Sequence, residues 1–277
     1  MGILKKGVLK VTGLQSHAFH TATIRLLVIP VLVYTAWMLE TFLLEGSTNL
    51  FTRFDPMGIL LYTLIACIIT GMVIPLLCIR KTFISGAVNM FQIGFRSLRR
   101  TLLASVLTCT IGYAAVIFFN PFGTDRFMFV NAFLVLLPGT IASVMICWVL
   151  TGTHIQAFVR GGGAIISLSV GVIVTAMLFG MTTFAYFPAA FQQDAFFSSV
   201  CIGIIAGLFF FAVRDVYATS IVVGGCSVFT LADHITPVYL LTAIPSVWIS
   251  AALSVCTLTG IHLYLSRNFT TIRIPVP

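Results

Sequence analysis

Charge is what this chain has least of. Asp, Glu, Lys and Arg together make up 8% of its 277 residues, and 59% of the residues are hydrophobic. A soluble domain typically carries about 25% charged residues. With a mean hydropathy of +1.11, too little polar surface remains to coat a globule of this size in water. That excludes a soluble enzyme or binding domain, and no nucleic-acid partner is expected. A disulfide framework is missing as well. The seven cysteines (Cys67, Cys78, Cys109, Cys147, Cys201, Cys226 and Cys256) are scattered through apolar runs with no CxxC pair, and they read as small apolar fillers.

Catalytic signatures are equally scarce. The sequence contains no GxSxG elbow, GxGD, HExxH or paired-carboxylate motif, so no catalytic residues are assigned and an enzyme is not the favoured reading. Arg160-Gly161-Gly162-Gly163 is glycine-rich but lacks the lysine and the preceding strand of a phosphate loop. The motifs expected of rhomboid proteases, prenyltransferases and undecaprenyl-diphosphate phosphatases are also missing.

Long apolar runs are what the chain does have. A helical span needs about 20 apolar residues to cross about 30 Å of hydrocarbon. Eight runs qualify: 26–44, 57–79, 101–119, 128–150, 164–187, 195–213, 217–232 and 238–264. The seventh is short and contains Gly224-Gly225. No visible repeat divides the chain, so residues 1–277 are expected to form a single all-α membrane domain, a bundle of about eight transmembrane helices. Lys and Arg concentrate in short cytoplasmic loops of such proteins. With both termini cytoplasmic, thirteen basic residues fall inside and only Arg53 and Arg126 outside. A multi-pass protein of the cell membrane is the expectation. Trp37, Tyr62, Tyr186 and Tyr239 then mark outer span ends as interfacial anchors, and Trp148, Tyr217 and Tyr264 mark inner ones.

Between the second and third spans, residues 80–100 carry two interleaved helical patterns. Ser85, Asn89, Gln92, Arg96 and Arg99 repeat at steps of four and three, and so do Ile84, Ala87, Phe91, Phe95 and Leu98. This predicts a basic amphipathic helix over about 82–100 in the inner interface. Arg96, Arg99 and Arg100 would meet anionic headgroups of the bilayer. The same helix can instead bury its apolar face against the bundle, or dock a cytoplasmic or membrane partner subunit.

Glu40 is the only Asp, Glu, Lys or Arg inside the eight runs, four residues from an outer end. Buried carboxylates and bases mark proton relays, so their near absence argues against a proton pump and leaves Glu40 as a rim residue or a contact for a cation or substrate. His17, His20, His154 and His262 map to the inner side in separate segments without a cysteine or carboxylate partner, so neither a metal nor a cofactor is expected. Hydroxyl and small residues repeat at four-residue steps. Thr242, Ser246, Ser250 and Ser254 do so in the eighth run, Ser167, Gly171 and Thr175 in the fifth, and Gly203 and Gly207 in the sixth. Such stripes let helices approach closely in lipid. Beside kinks at Pro30, Pro75, Pro138 and Pro245 they can also line a path.

The best-supported expectation is a permease, or a membrane-embedded subunit of a transport complex, for an uncharged or weakly polar substrate. A structural or assembly subunit of a membrane complex is the alternative. An enzyme acting on lipid or lipid-linked substrate at the outer face is a third, with Glu40, Glu45, Asp55, Asp125 and Asp233 as its candidate acids.

Overall fold

A computed structural model of the chain describes residues 26–44, 55–84, 92–119, 126–186, 192–231 and 245–269, and all regular structure among them is helical. In chain order the helices are α1 (Leu26–Leu44), α2 (56–84), α3 (Leu98–Phe119), α4 (126–158), α5 (Ala164–Tyr186), α6 (Gln192–Val213), α7 (Val216–Leu231) and α8 (Pro245–Phe269). Seven of them are long and apolar enough to cross a membrane. With 16 residues, α7 rises about 24 Å, short of the hydrocarbon thickness. The chain is a multi-pass helical membrane protein.

Its centre is α4. Val144 to Leu150 are completely buried, Trp148 among them, enclosed by α2, α5 and α7, and α8 packs on the 126–143 part of the same helix. Val144–Gly152 of α4 and Thr63–Val73 of α2 are wound as π-helix, a wider coil in which a carbonyl is reached from five residues on. In α2 this coil runs up to Pro75, which has no N–H to return to the carbonyl of Gly71.

Small residues set the helix spacing. At Gly203 of α6 an added Cβ would lie 2.7 Å from the Ala176 Cα of α5, so the two backbones approach more closely than any other residue allows. Gly171 and Thr175, from the α5 stripe, are buried on the same seam. At the other extreme stands α3. Of its 22 residues only Thr101 and Val116 are buried, and its neighbour is α7. The remainder, including Leu103, Val106, Leu107 and Ile111, is left for lipid.

Two expectations are corrected here. First, no continuous amphipathic helix covers 82–100. Residues 92–97 are a turn followed by irregular chain, and α3 begins only at Leu98; 85–91 lie outside the described residues. Gly94 turns the chain at φ +83°, and Ile93 and Phe95 enter the protein core rather than the acyl boundary. Backbone pairing holds them there. The Val216 amide donates to the Gly94 carbonyl (3.1 Å), and His262 Nε2 donates to the Arg96 carbonyl (2.7 Å). Arg214 completes the knot by donating to the Gln92 carbonyl (2.8 Å) and to Gln156 Oε1 (2.6 Å). Burial, with Arg96 nearby, pulls its guanidinium down to about 10, so it stays cationic at neutral pH. Beside it Asp215, 1% exposed, accepts from Thr101 Oγ1 (2.7 Å) and from the Ala218 amide (2.9 Å).

Second, Trp37, Trp148 and Tyr62 are core residues, not interfacial anchors, at 0%, 0% and 6% exposure. Their rings fill the space between helices, where burial of a large apolar surface outweighs the interfacial preference. Both chain termini and Tyr239 lie outside the described residues.

Candidate functional site: a hydroxyl-lined cavity

The C-terminal ends of α2, α4 and α8, the α6–α7 turn and the start of α3 share one face, and the Arg214 and His262 bonds described above tie α4, α8 and the α6–α7 turn to the 92–97 segment there. Arg80, Arg96, Arg99, Arg100, Arg160, Arg214 and Arg267 belong to these ends. At the other ends of the helices a cavity of about 160 Å³ opens between α2, α4, α5, α6, α7 and α8.

The stretch of α4 around Pro138 shapes one wall. Pro138 withholds the amide that would bond the Leu134 carbonyl, and both residues line the cavity. Gly139 follows, and its missing side chain makes room for two phenols. The Tyr62 and Tyr186 hydroxyls meet at 2.7 Å, and a Cβ on Gly139 would stand 3.1 and 3.3 Å from them. The tyrosine pair thereby joins α2 to α5 past Gly139.

The lining is rich in hydroxyls. Tyr62 and Thr63 come from α2, Thr140 and Ser143 from α4, and Thr182, Thr183 and Tyr186 from α5. Ser198 and Ser199 come from α6, Ser227 and Thr230 from α7, and Ser250 from α8. Asp194 is the single charged residue in the lining, against twelve hydroxyls, so hydrogen bonding dominates the chemistry of the wall. Several hydroxyls already donate to their own helix: Ser143 to the Thr140 carbonyl (2.8 Å), Thr182 to Phe179 (2.6 Å), Thr183 to Gly180 (2.8 Å) and Thr230 to Ser227 (3.0 Å). Their lone pairs remain as acceptors. Ser250 differs. It is 2% exposed and its Oγ has no partner among the described residues.

The structure distributes the residues singled out from the sequence unevenly. On α8, Ser246, Ser250 and Ser254 are all buried, and of the three only Ser250 lines the cavity. Ser254 lies one turn deeper and donates to the Ser250 carbonyl (2.9 Å). Thr242 is outside the described residues. Glu40 is half-buried on α1, away from the lining. Arg99 and Arg100 are exposed at the start of α3, and Arg96 is half-buried in the knot. Asp55 caps α2 through the Met57 and Gly58 amides (both 3.1 Å), and Glu45, Asp125 and Asp233 are outside the described residues. His154 donates through Nδ1 to the Leu150 carbonyl (2.6 Å). Among the described residues no three His, Cys, Asp or Glu come together as a metal site.

Most of the cavity was not singled out beforehand. Tyr62 and Tyr186 read from the sequence as interfacial anchors. Thr63, Thr140, Ser143, Thr182, Thr183, Ser227 and Thr230 gave no signal, since isolated hydroxyls carry no periodicity. The proline at 138 was the one local sign on α4.

No protein family, curated protein or solved structure matches this chain.

Proposed function

We propose that this protein is a permease, or the membrane-embedded subunit of a transport complex, that takes a small uncharged or weakly polar solute from the hydroxyl-lined cavity. The observation that carries the reading is Ser250, a buried and unpartnered hydroxyl on the cavity wall. An apolar cavity of about 150 Å³ accepts a benzene-sized guest, so about 160 Å³ suits a solute of roughly six to eight heavy atoms. Hydroxyls that present lone pairs favour a solute with hydrogen-bond donors, such as a short polyol or amide. In this reading the chain crosses the cell membrane eight times, with α7 as the shortest span and both termini in the cytoplasm. The arginine-rich face is then cytoplasmic and the cavity opens outward. An enzyme on lipid-linked substrate would need two carboxylates at one cleft, and among the described residues the cavity brings one.

The test places a cysteine at Ser250 after the seven native cysteines have been replaced. A small polar thiol reagent should modify it from the side opposite the arginine-rich face, and glycerol or erythritol at high concentration should slow the reaction. Ser250→Leu should abolish solute entry into proteoliposomes while the protein still folds. A cysteine at 250 that ignores polar reagents yet reacts with a lipid-soluble one would defeat the proposal.

A further inference from the structure

A second polar cluster stands on α1, outside the cavity lining. Along the inward face of this helix Tyr34, Trp37, Glu40 and Thr41 follow at helical spacing. The opposite face, with Val31, Leu32, Leu39, Phe42 and Leu43, is exposed to lipid. Tyr34 fastens α1 to α5 by donating to the Leu178 carbonyl (2.7 Å), one residue before the cavity-lining Phe179.

The next three polar groups are bare. Trp37 and Thr41 are both 0% exposed, yet Trp37 Nε1, Thr41 Oγ1 and the buried Glu40 Oε2 have no partner among the described residues. Thr41 is unlike other buried threonines of the bundle. Thr153, Thr175, Thr182, Thr183 and Thr219 each donate to a carbonyl of their own helix three or four residues back. Its hydroxyl leaves that bond unmade. An indole N–H, a hydroxyl and a carboxylate oxygen, carried on one face of α1, thus have no partner among the described residues, and each such group costs free energy until something fills it. The carboxylate is the decisive member, because Glu40 is half-buried with one oxygen shielded, and a positive charge placed beside that oxygen stabilises it.

We propose that Glu40 and Thr41 bind a small monovalent metal cation of sodium size, with a coordinated water accepting from Trp37 Nε1. One carboxylate balances one positive charge, and hard cations take oxygen ligands of this type. The proposal does not depend on the cavity being a substrate site.

Trp37 reports on its own surroundings. In a Trp148→Phe, Trp248→Phe protein it is the sole tryptophan, and its emission is titrated with sodium chloride against choline chloride at constant ionic strength. A saturable change is expected. Glu40→Gln should abolish it, and Thr41→Val should shift its midpoint at least tenfold. Should the single-tryptophan protein fail to fold, the thermal unfolding temperature of the otherwise native chain, with and without Glu40→Gln, replaces the emission. It should rise saturably with sodium only when Glu40 is present. No sodium response, an equal response without Glu40, or a response to acid alone would each overturn the proposal, the last by assigning the charge to a proton. Thiol accessibility at position 250 is unaffected by any of these outcomes, so the two readings fail separately.

Discussion

Among the described residues Asp55 and Asp215 both cap helices, and their surroundings make the same side chain unequal in weight. Asp55 caps α2 from an exposed position. Asp215 caps α7 while its second oxygen receives the Thr101 hydroxyl, and it is almost wholly shielded. Losing an N-cap costs about 1 kcal/mol. Asp215→Ala also strands the buried Thr101 hydroxyl, a further cost of about 1–3 kcal/mol. Thermal unfolding in detergent should therefore fall clearly further for Asp215→Ala than for Asp55→Ala, and Thr101→Val should recover part of the difference when combined with Asp215→Ala. Equal shifts would mean that the Thr101 contact carries no weight. Nothing in the sequence marks Asp215 for this part. It sits in a two-residue connection between apolar runs, where an acid reads as a solvated turn, and only the return of residues 92–101 to that turn buries it.

At the scale of elements, hydropathy placed most helices within a few residues, because an apolar run long enough to span is a local property of the chain. The linker shows where local pattern stops being sufficient. Helical periodicity in 80–100 is real, but the inward pull on Ile93 and Phe95 comes from α6, α7 and α8, which lie more than a hundred residues downstream. The arginines are divided accordingly. Arg99 and Arg100 are free to meet headgroups at the start of α3, and Arg96 is drawn into the knot. Each charge near an anionic surface is worth about 1 kcal/mol. Replacing Arg99 and Arg100 together with glutamine should weaken co-flotation with phosphatidylserine vesicles by roughly 30-fold, and Arg96→Gln alone should change it little. Equal losses from either replacement would place Arg96 at the lipid surface after all.

For the molecule as a whole, the distribution of basic residues gives an orientation that labelling can check. In intact cells, cysteines introduced at 48 and 124 should react with an impermeant reagent, and those at 90 and 158 should not. Reaction at 90 from outside would invert the frame, and with it the side on which the cavity opens. The class of protein was legible from composition because the bilayer imposes one overriding requirement on every span. The cavity was not. Its lining comes from six helices, two to seven residues from each, and their convergence is settled by packing such as the Gly203–Ala176 contact and by the proline at 138 inside α4. The tryptophans were misread for a related reason, since a ring near a span end faces headgroups or neighbours depending on how the bundle closes.

The sparse attachment of α3 has a consequence for the order in which the protein is assembled. Its buried anchor, Thr101, bonds to Asp215, 114 residues later, and the neighbour it packs against, α7, is made correspondingly late. At translation rates of about 5–20 residues per second, α3 waits roughly 6–20 s in the membrane before either exists. It is well suited to the delay, because a helix satisfies its own backbone in lipid and nearly all of its side chains need no other protein surface. The chain thus parks one helix early and recruits it once α7 is made, and the 92–97 segment joins the basic-face knot only when the α6–α7 turn arrives to receive it.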